Sequence, residues 1–146
     1  MVAPMTHAIA AATVAATRTG GQRATHTAGR APSVTIASPA TTIRAAVDAF
    51  NAANCAAIYA VTAPWVRGHQ ARADTIAACA HGFADGRRQG VTLLRLTPDG
   101  PGRYVSTGAY RQPLLLRRVM QGRTTLARET MQLVHVGARW YVLALW

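Results

Sequence analysis

Few residues in this chain have side chains able to do chemistry. Glu129 is the only glutamate among the five acidic residues. A carboxylate set among Leu114, Met131 and Trp146 would be desolvated, which is the environment a general acid or base needs. The same glutamate could instead pair with Arg118 or Arg123 at a sheet edge, or be turned outward by a bulge, and this solvated reading carries more weight. His135, beside Trp140 and next to a turn, is expected to be a rim histidine without a chemical role. Asp48, Asp74 and Asp85 are accounted for by positions on helices and by solubility. The two cysteines, Cys55 and Cys79, have no adjacent base to make a nucleophile and no ligand company to make a metal site. No metal and no cofactor are therefore expected. Glu129 and His135 remain the catalytic candidates, and a non-catalytic protein is preferred.

The elements that must position these residues follow from two periodicities. Ile43, Ala46, Val47 and Phe50 recur at helical spacing, predicting a first helix from Thr42 to about Ala53, entered through Pro39 and capped by a threonine hydroxyl. Asn54 can end that helix and cap a second one carrying Ile58, Tyr59 and Val61, which Pro64 stops. Asp74 is a good N-cap for a third helix with Ile76, Cys79, Ala80 and Phe83 on one face. The period then changes to two. Candidate strands are Val91 to Thr97, Arg103 to Arg111, Leu114 to Met120, Arg123 to Val136 and Arg139 to Trp146. Turns fall at Thr97 to Gly102, at Gln121-Gly122, and at Gly137-Ala138, where a leading glycine suits a type II′ hairpin.

Pairing through the last turn sets Val136 opposite Arg139, His135 opposite Trp140, Leu133 opposite Val142, Met131 opposite Ala144 and Glu129 opposite Trp146. Alternation then sorts two faces. Leu114, Leu116, Ala127, Glu129, Met131, Leu133, His135, Trp140, Val142, Ala144 and Trp146 form the more apolar face, assigned to the helix side. With Tyr59, Trp65 and Phe83 from the helical half, Leu114, Leu116, Met131, Leu133, Trp140 and Trp146 make up the expected pocket for a small hydrophobic ligand. Leu115, Leu126, Val134, Tyr141, Leu143 and Leu145 lie on the outer face. They are enough apolar side chains to predict a homodimer through that face.

Composition bounds the rest. A chain of 146 residues suits one core. Every one of its 16 basic residues is arginine, giving a net charge of +11. These arginines are scattered singly or in pairs without a nucleic-acid module, so no specific nucleic-acid partner is expected. Residues 1–39, rich in Ala, Thr and Gly, read as a disordered tail or a weak secretory segment, the apolar run Ala8 to Ala16 being too short to span a membrane. Export to the cell envelope and a cytoplasmic location are equally consistent with this. The folded domain is expected over residues 40–146.

Three helices followed by an antiparallel meander ending in Trp-Tyr-Val resemble the nuclear-transport-factor-2-like (SnoaL-like) domains. Ala46 to Pro64, AVDAFNAANCAAIYAVTAP, is similar to that superfamily's first two helices, and LVHVGARWYVLALW to its closing hairpin. The resemblance implies an α+β cone, three helices against a curved antiparallel sheet with a cavity between. It makes the second and third helices neighbours, so that a Cys55–Cys79 disulfide is feasible, two buried free thiols being the alternative. It identifies no subfamily: Asn54 stands where members commonly have Asp. Enzymes and non-catalytic modules share this fold. The preferred reading is a non-catalytic ligand-binding or assembly module. The alternative is a small isomerase, cyclase or hydrolase acting on a hydrophobic ligand with Glu129 as acid or base.

Overall fold

The computed structural model describes residues 37–145. Three helices come first, α1 (Pro39–Asn51), α2 (Cys55–Val61) and α3 (Arg72–Arg88), followed by five strands, β1 (Val91–Pro98), β2 (Arg103–Ser106), β3 (Ala109–Met120), β4 (Arg123–Val136) and β5 (Arg139–Leu145). The strands form one curled antiparallel sheet in the order β1-β3-β4-β5, with β2 also pairing β3. This is the α+β cone architecture that the sequence pattern and the resemblance imply. Residues 1–36 of the expected disordered tail or signal segment lie outside the described residues, as does Trp146, whereas Ser38 and Pro39, expected in that tail, already cap and begin α1.

Helix α1 begins earlier than its apolar periodicity predicts. Pro39 occupies the first turn, where a missing N–H costs nothing, and the Ser38 hydroxyl accepts from the Ala40 amide at 3.2 Å. Thr42 is consequently not a cap. Its hydroxyl donates to the Trp140 carbonyl at 3.1 Å and ties the start of α1 to β5. Helix α1 ends in a Schellman motif: the Asn54 amide reaches the Ala49 carbonyl at 2.8 Å and the Ala53 amide reaches the Phe50 carbonyl at 2.9 Å, with Ala53 at φ 50°. The Asn54 side chain then caps α2 at the Ala57 amide, as its position in the sequence predicts. Helix α3 starts at Arg72 behind Ala71, which offers no side-chain cap, so Asp74 lies within the first turn. There it complements the positive end of the helix dipole.

The core is the inner face of the sheet covered by α1. Ile43, Ala46 and Val47 of α1 meet Leu96, Leu114, Met131, Leu133 and Trp140, with Leu96, Leu114 and Leu133 essentially sealed from water. The inner face predicted from the β3–β4 and β4–β5 hairpins is thus the buried one near the helices. Gln121 and Gly122, both at positive φ, make the first of these tight turns, and Gly137 at φ 62° leads the second.

Two predicted strand boundaries are corrected. The segment between Pro98 and Arg103 reverses nothing. Both β1 and β2 run antiparallel to the same edge of β3, and the chain merely leaves that edge and returns to it. The reversal lies at Thr107-Gly108, so β3 runs unbroken through Pro113. Proline is tolerated in this inner strand because of where it falls. The Pro113 carbonyl accepts from the Asp99 amide at 3.0 Å, and both polar groups of one strand residue point to the same side. The donorless nitrogen therefore faces the gap between β1 and β2. Gln112, buried beside it, seals the gap by donating to the Gly100 carbonyl at 2.9 Å.

A further correction concerns β5. From Val136–Arg139 to Leu133–Val142 the pairing is as predicted, but Gln132 then pairs with Ala144 and Met131 with Leu145. Leu143 is the extra residue of a bulge, and a one-residue insertion flips every side chain beyond it. Ala144 thereby joins the outer face with Gln132, and Leu145 the inner face with Met131.

Candidate functional site

One apolar hollow brings Phe83 of the expected pocket together with residues that were not expected to line it. It is an open cleft of about 470 Å³ between α3 and β1, closed at one end by the C-terminus of α1. Phe50, Phe83, Val91 and Leu94 supply its apolar walls, and Arg87 and Arg118 stand in the same lining. Arg118 comes from β3, directly opposite Leu94 in the sheet.

Helix α3 makes one wall of the cleft without burying any residue of its own. A helix with so little covered surface gains little from hydrophobic packing. Two contacts hold it instead. Cys79 is joined to Cys55 at the start of α2, with Cα atoms 5.8 Å apart, and Phe83 meets Phe50 edge-on with ring centroids 5.5 Å apart. The cysteines are thus bonded rather than two free thiols. At the end of α3, Arg88 pairs with Asp85, and Gly90, at φ 91°, carries the chain into β1.

Other hollows surround the helices or the sheet, among them one of about 310 Å³ at the start of α1 whose lining includes Thr41, Ala45, Val61 and Trp140. One of about 230 Å³ under α1 is lined by Phe50, Val61, Leu96, Met131 and Val142 and lacks charge; Phe50 belongs to both it and the α3–β1 cleft. Another of about 130 Å³ beside the disulfide contains Tyr59. Tyr59 lies under the Arg67 guanidinium, 4.3 Å from the ring centroid, and Arg67 also caps α2 through the Thr62 and Ala60 carbonyls at 2.9 and 3.0 Å. A groove of about 480 Å³ crosses the outer sheet face.

The predicted site residues are dispersed over these places. Phe83 lines the α3–β1 cleft and Met131 the inner hollow. Leu114, Leu133 and Trp140 are core, Leu116 packs on it, and Trp140 Nε1 donates to the Ala37 carbonyl at 2.6 Å. Trp65 is 55% exposed on the connector after α2. Glu129 is half-buried on the inner face opposite Leu114, and none of the hollows described above contains it. The ion pairs among the described residues are Arg88–Asp85 and Arg128–Asp99, so Glu129 enters neither. His135 sits in an aromatic group with Tyr104, Tyr110 and Trp140, its ring 5.1 Å from Trp140. Its Nε2 is buried without a hydrogen-bond partner. Six residues along one strand separate it from Glu129 by roughly 20 Å, so the two cannot act on one substrate atom.

Sequence reasoning missed Arg87, Arg118 and Leu94 as site residues. Helical spacing places Arg87 four residues after Phe83, on one face, which is a usable signal. The pairing of Leu94 with Arg118 depends on the register of β1 against β3, which no hairpin fixes. Among the described residues no group of three His, Cys, Asp or Glu side chains is placed to hold a metal, and no helix is long and apolar enough to cross a membrane.

No protein-family model matches the chain, and no curated protein does. Solved structures do. A SEC-C motif containing protein from Rhodopseudomonas palustris superposes with a TM-score of 0.56 at 16% identity, covering 75% of this chain and 77% of that one. An NTF-2-like protein of unknown function from Shewanella oneidensis gives 0.51 at 15% identity, over 73% of this chain and 92% of that one. A domain of unknown function with a cystatin-like fold from Nostoc punctiforme gives 0.49 at 16% identity, over 72% and 70%. At such identities the likeness is one of fold. Three helices followed by a curled antiparallel sheet, together with the likeness to the NTF-2-like protein, give this chain the nuclear-transport-factor-2-like cone fold, with no subfamily marked.

Proposed function

We propose that the protein is a non-catalytic binding module whose α3–β1 cleft takes an amphipathic ligand, an apolar body with an anionic head. The reading rests on one observation. The cleft combines Phe50, Phe83, Val91 and Leu94 with two arginines, and its lining includes no carboxylate, imidazole or free thiol. Ligand sites are commonly apolar hollows of this size with a few polar groups that fix orientation, and a guanidinium is suited to a carboxylate or phosphate head. A proton-transfer reaction would need an acid or base within hydrogen-bond reach of the ligand. That is why the enzyme reading with Glu129 is the weaker one.

Assembly through the outer sheet face is the other form a module could take. In a two-fold dimer, that face meets its own copy, and the arginines among its leucines would then meet arginines. The binding role is accordingly assigned to the cleft. Titration calorimetry with decanoate and decanol tests it. Decanoate is expected to bind more tightly than decanol, and Arg118→Gln to weaken decanoate by about tenfold or more, the worth of one charge-assisted hydrogen bond. Equal binding of both ligands, or of wild type and variant, would overturn the assignment.

A further inference from the structure

Strand register gathers arginines that the sequence scatters. Arg111 and Arg117 of β3 share the outer face, since they are six residues apart on one strand. Arg103 of β2 lies directly opposite Arg111, Arg95 of β1 directly opposite Arg117, and Arg128 of β4 opposite Leu115 between them. All five are exposed. Like charges set directly opposite each other on a sheet are destabilising, and this face has two such pairs. Among the described residues the one acid paired with any of them is Asp99, 3.8 Å from Arg128.

Two further observations indicate what balances the charge. A groove of about 480 Å³ is centred on the Arg103–Arg111 pair and lined by Pro101, Pro113, Thr130 and Gln132. Its donors are guanidinium, hydroxyl and amide groups and it contains no carboxylate, a set complementary to a phosphate. Leu93 and Leu126 also project from this face, exposed by 37% and 62%, flanking the Arg95–Arg117 end. The arginines span roughly 20 Å along β3, more than one phosphate group occupies. Exposed leucines beside arginines fit the boundary between lipid headgroups and acyl chains. The aromatic platform that single-stranded nucleic acid requires is missing from the β1–β4 part of this face among the described residues.

We propose that the outer sheet face docks on an anionic phospholipid surface, with the Arg103–Arg111 groove holding a lipid phosphate and Leu126 entering the interface. The groove shares no residue with the α3–β1 cleft, whose lining takes in Leu93 alone from this face. Co-sedimentation of the full chain with vesicles tests it. Vesicles of phosphatidylcholine with one quarter phosphatidylglycerol are expected to carry the protein down, and pure phosphatidylcholine vesicles to leave it in solution. Arg103→Gln with Arg111→Gln should lower partitioning by about thirtyfold. Arg44→Gln with Arg88→Gln, which removes the same charge from the helices, should lower it far less, and Leu126→Ser should weaken it with the charge intact. Circular dichroism confirms that each variant is folded. Equal losses in the two arginine pairs would reduce the effect to net charge and overturn the site. So would failure of wild type to bind the anionic vesicles, or binding of a single-stranded oligonucleotide in preference to them.

Discussion

Asn51, the last residue of α1, holds both backbone polar groups of Leu96: its Nδ2 donates to the Leu96 carbonyl at 2.9 Å and its Oδ1 accepts from the Leu96 amide at 2.7 Å. Strand β1 is an edge of the sheet, and an edge leaves a row of backbone groups unpaired. The Asn51 amide substitutes for a neighbouring strand at the residue whose side chain is deepest in the core of β1. With Thr42 bonded to Trp140 at the other end, α1 is fastened across the cone from β5 to β1. Asn51→Ala should cost about 1–3 kcal/mol through the two unsatisfied groups left at Leu96. Asn51→Asp, which keeps the acceptor but sets a carboxylate oxygen against the Leu96 carbonyl at the negative end of α1, should cost at least as much. Denaturant unfolding measures both.

The disulfide is expected to matter more for α3 than for the core. Cys55→Ser with Cys79→Ser should lower stability by about 3 kcal/mol, the chain-entropy value for a loop spanning 24 residues. Hydrogen exchange should show α3 amides losing protection while those of β3 and β4 retain it. Uniform loss across the sheet would show that α3 is integral to the core.

Ala53 occupies the left-handed region at the end of α1, a position where a Cβ is unfavourable and glycine is the usual occupant. Ala53→Gly should therefore raise stability by about 0.5–1 kcal/mol, an effect opposite in sign to most substitutions by glycine. A fall in the thermal midpoint would contradict the assignment.

His135→Phe should be neutral or stabilising in thermal melts. The ring stays against Trp140 while the unpartnered Nε2 is removed, and replacing a buried unsatisfied polar atom with carbon removes its desolvation cost. A clear loss of stability would show that this nitrogen has a partner.

Much of the fold was legible because its signals are local. The spacing of Ile43, Ala46 and Val47 marks the buried side of α1, and two-residue turns at Gln121-Gly122 and Gly137-Ala138 set the registers that place Leu114, Leu133 and Trp140 in the core. What escaped depends on partners distant in sequence. The Leu143 bulge leaves no mark in a run of apolar residues, where either face accepts the side chain. Pro113 reads as a strand breaker until the gap between β1 and β2 is known to lie beside it. The cleft was missed for the same reason. Phe83 and the cysteines were visible, but Leu94 and Arg118 meet only through the β1–β3 pairing, and the arginine face needs both β1 and β2 in register.

The proposed function places the amphipathic anion in the α3–β1 cleft and not in the charge-free hollow under α1. Titrating the ¹⁵N-labelled full chain with decanoate and mapping the amide shifts tests it most directly. The largest shifts are expected at Phe83, Gly86, Leu94 and Arg118, abolished together in Arg118→Gln. Shifts centred on Met131 and Val142, or none at saturating decanoate, would contradict it.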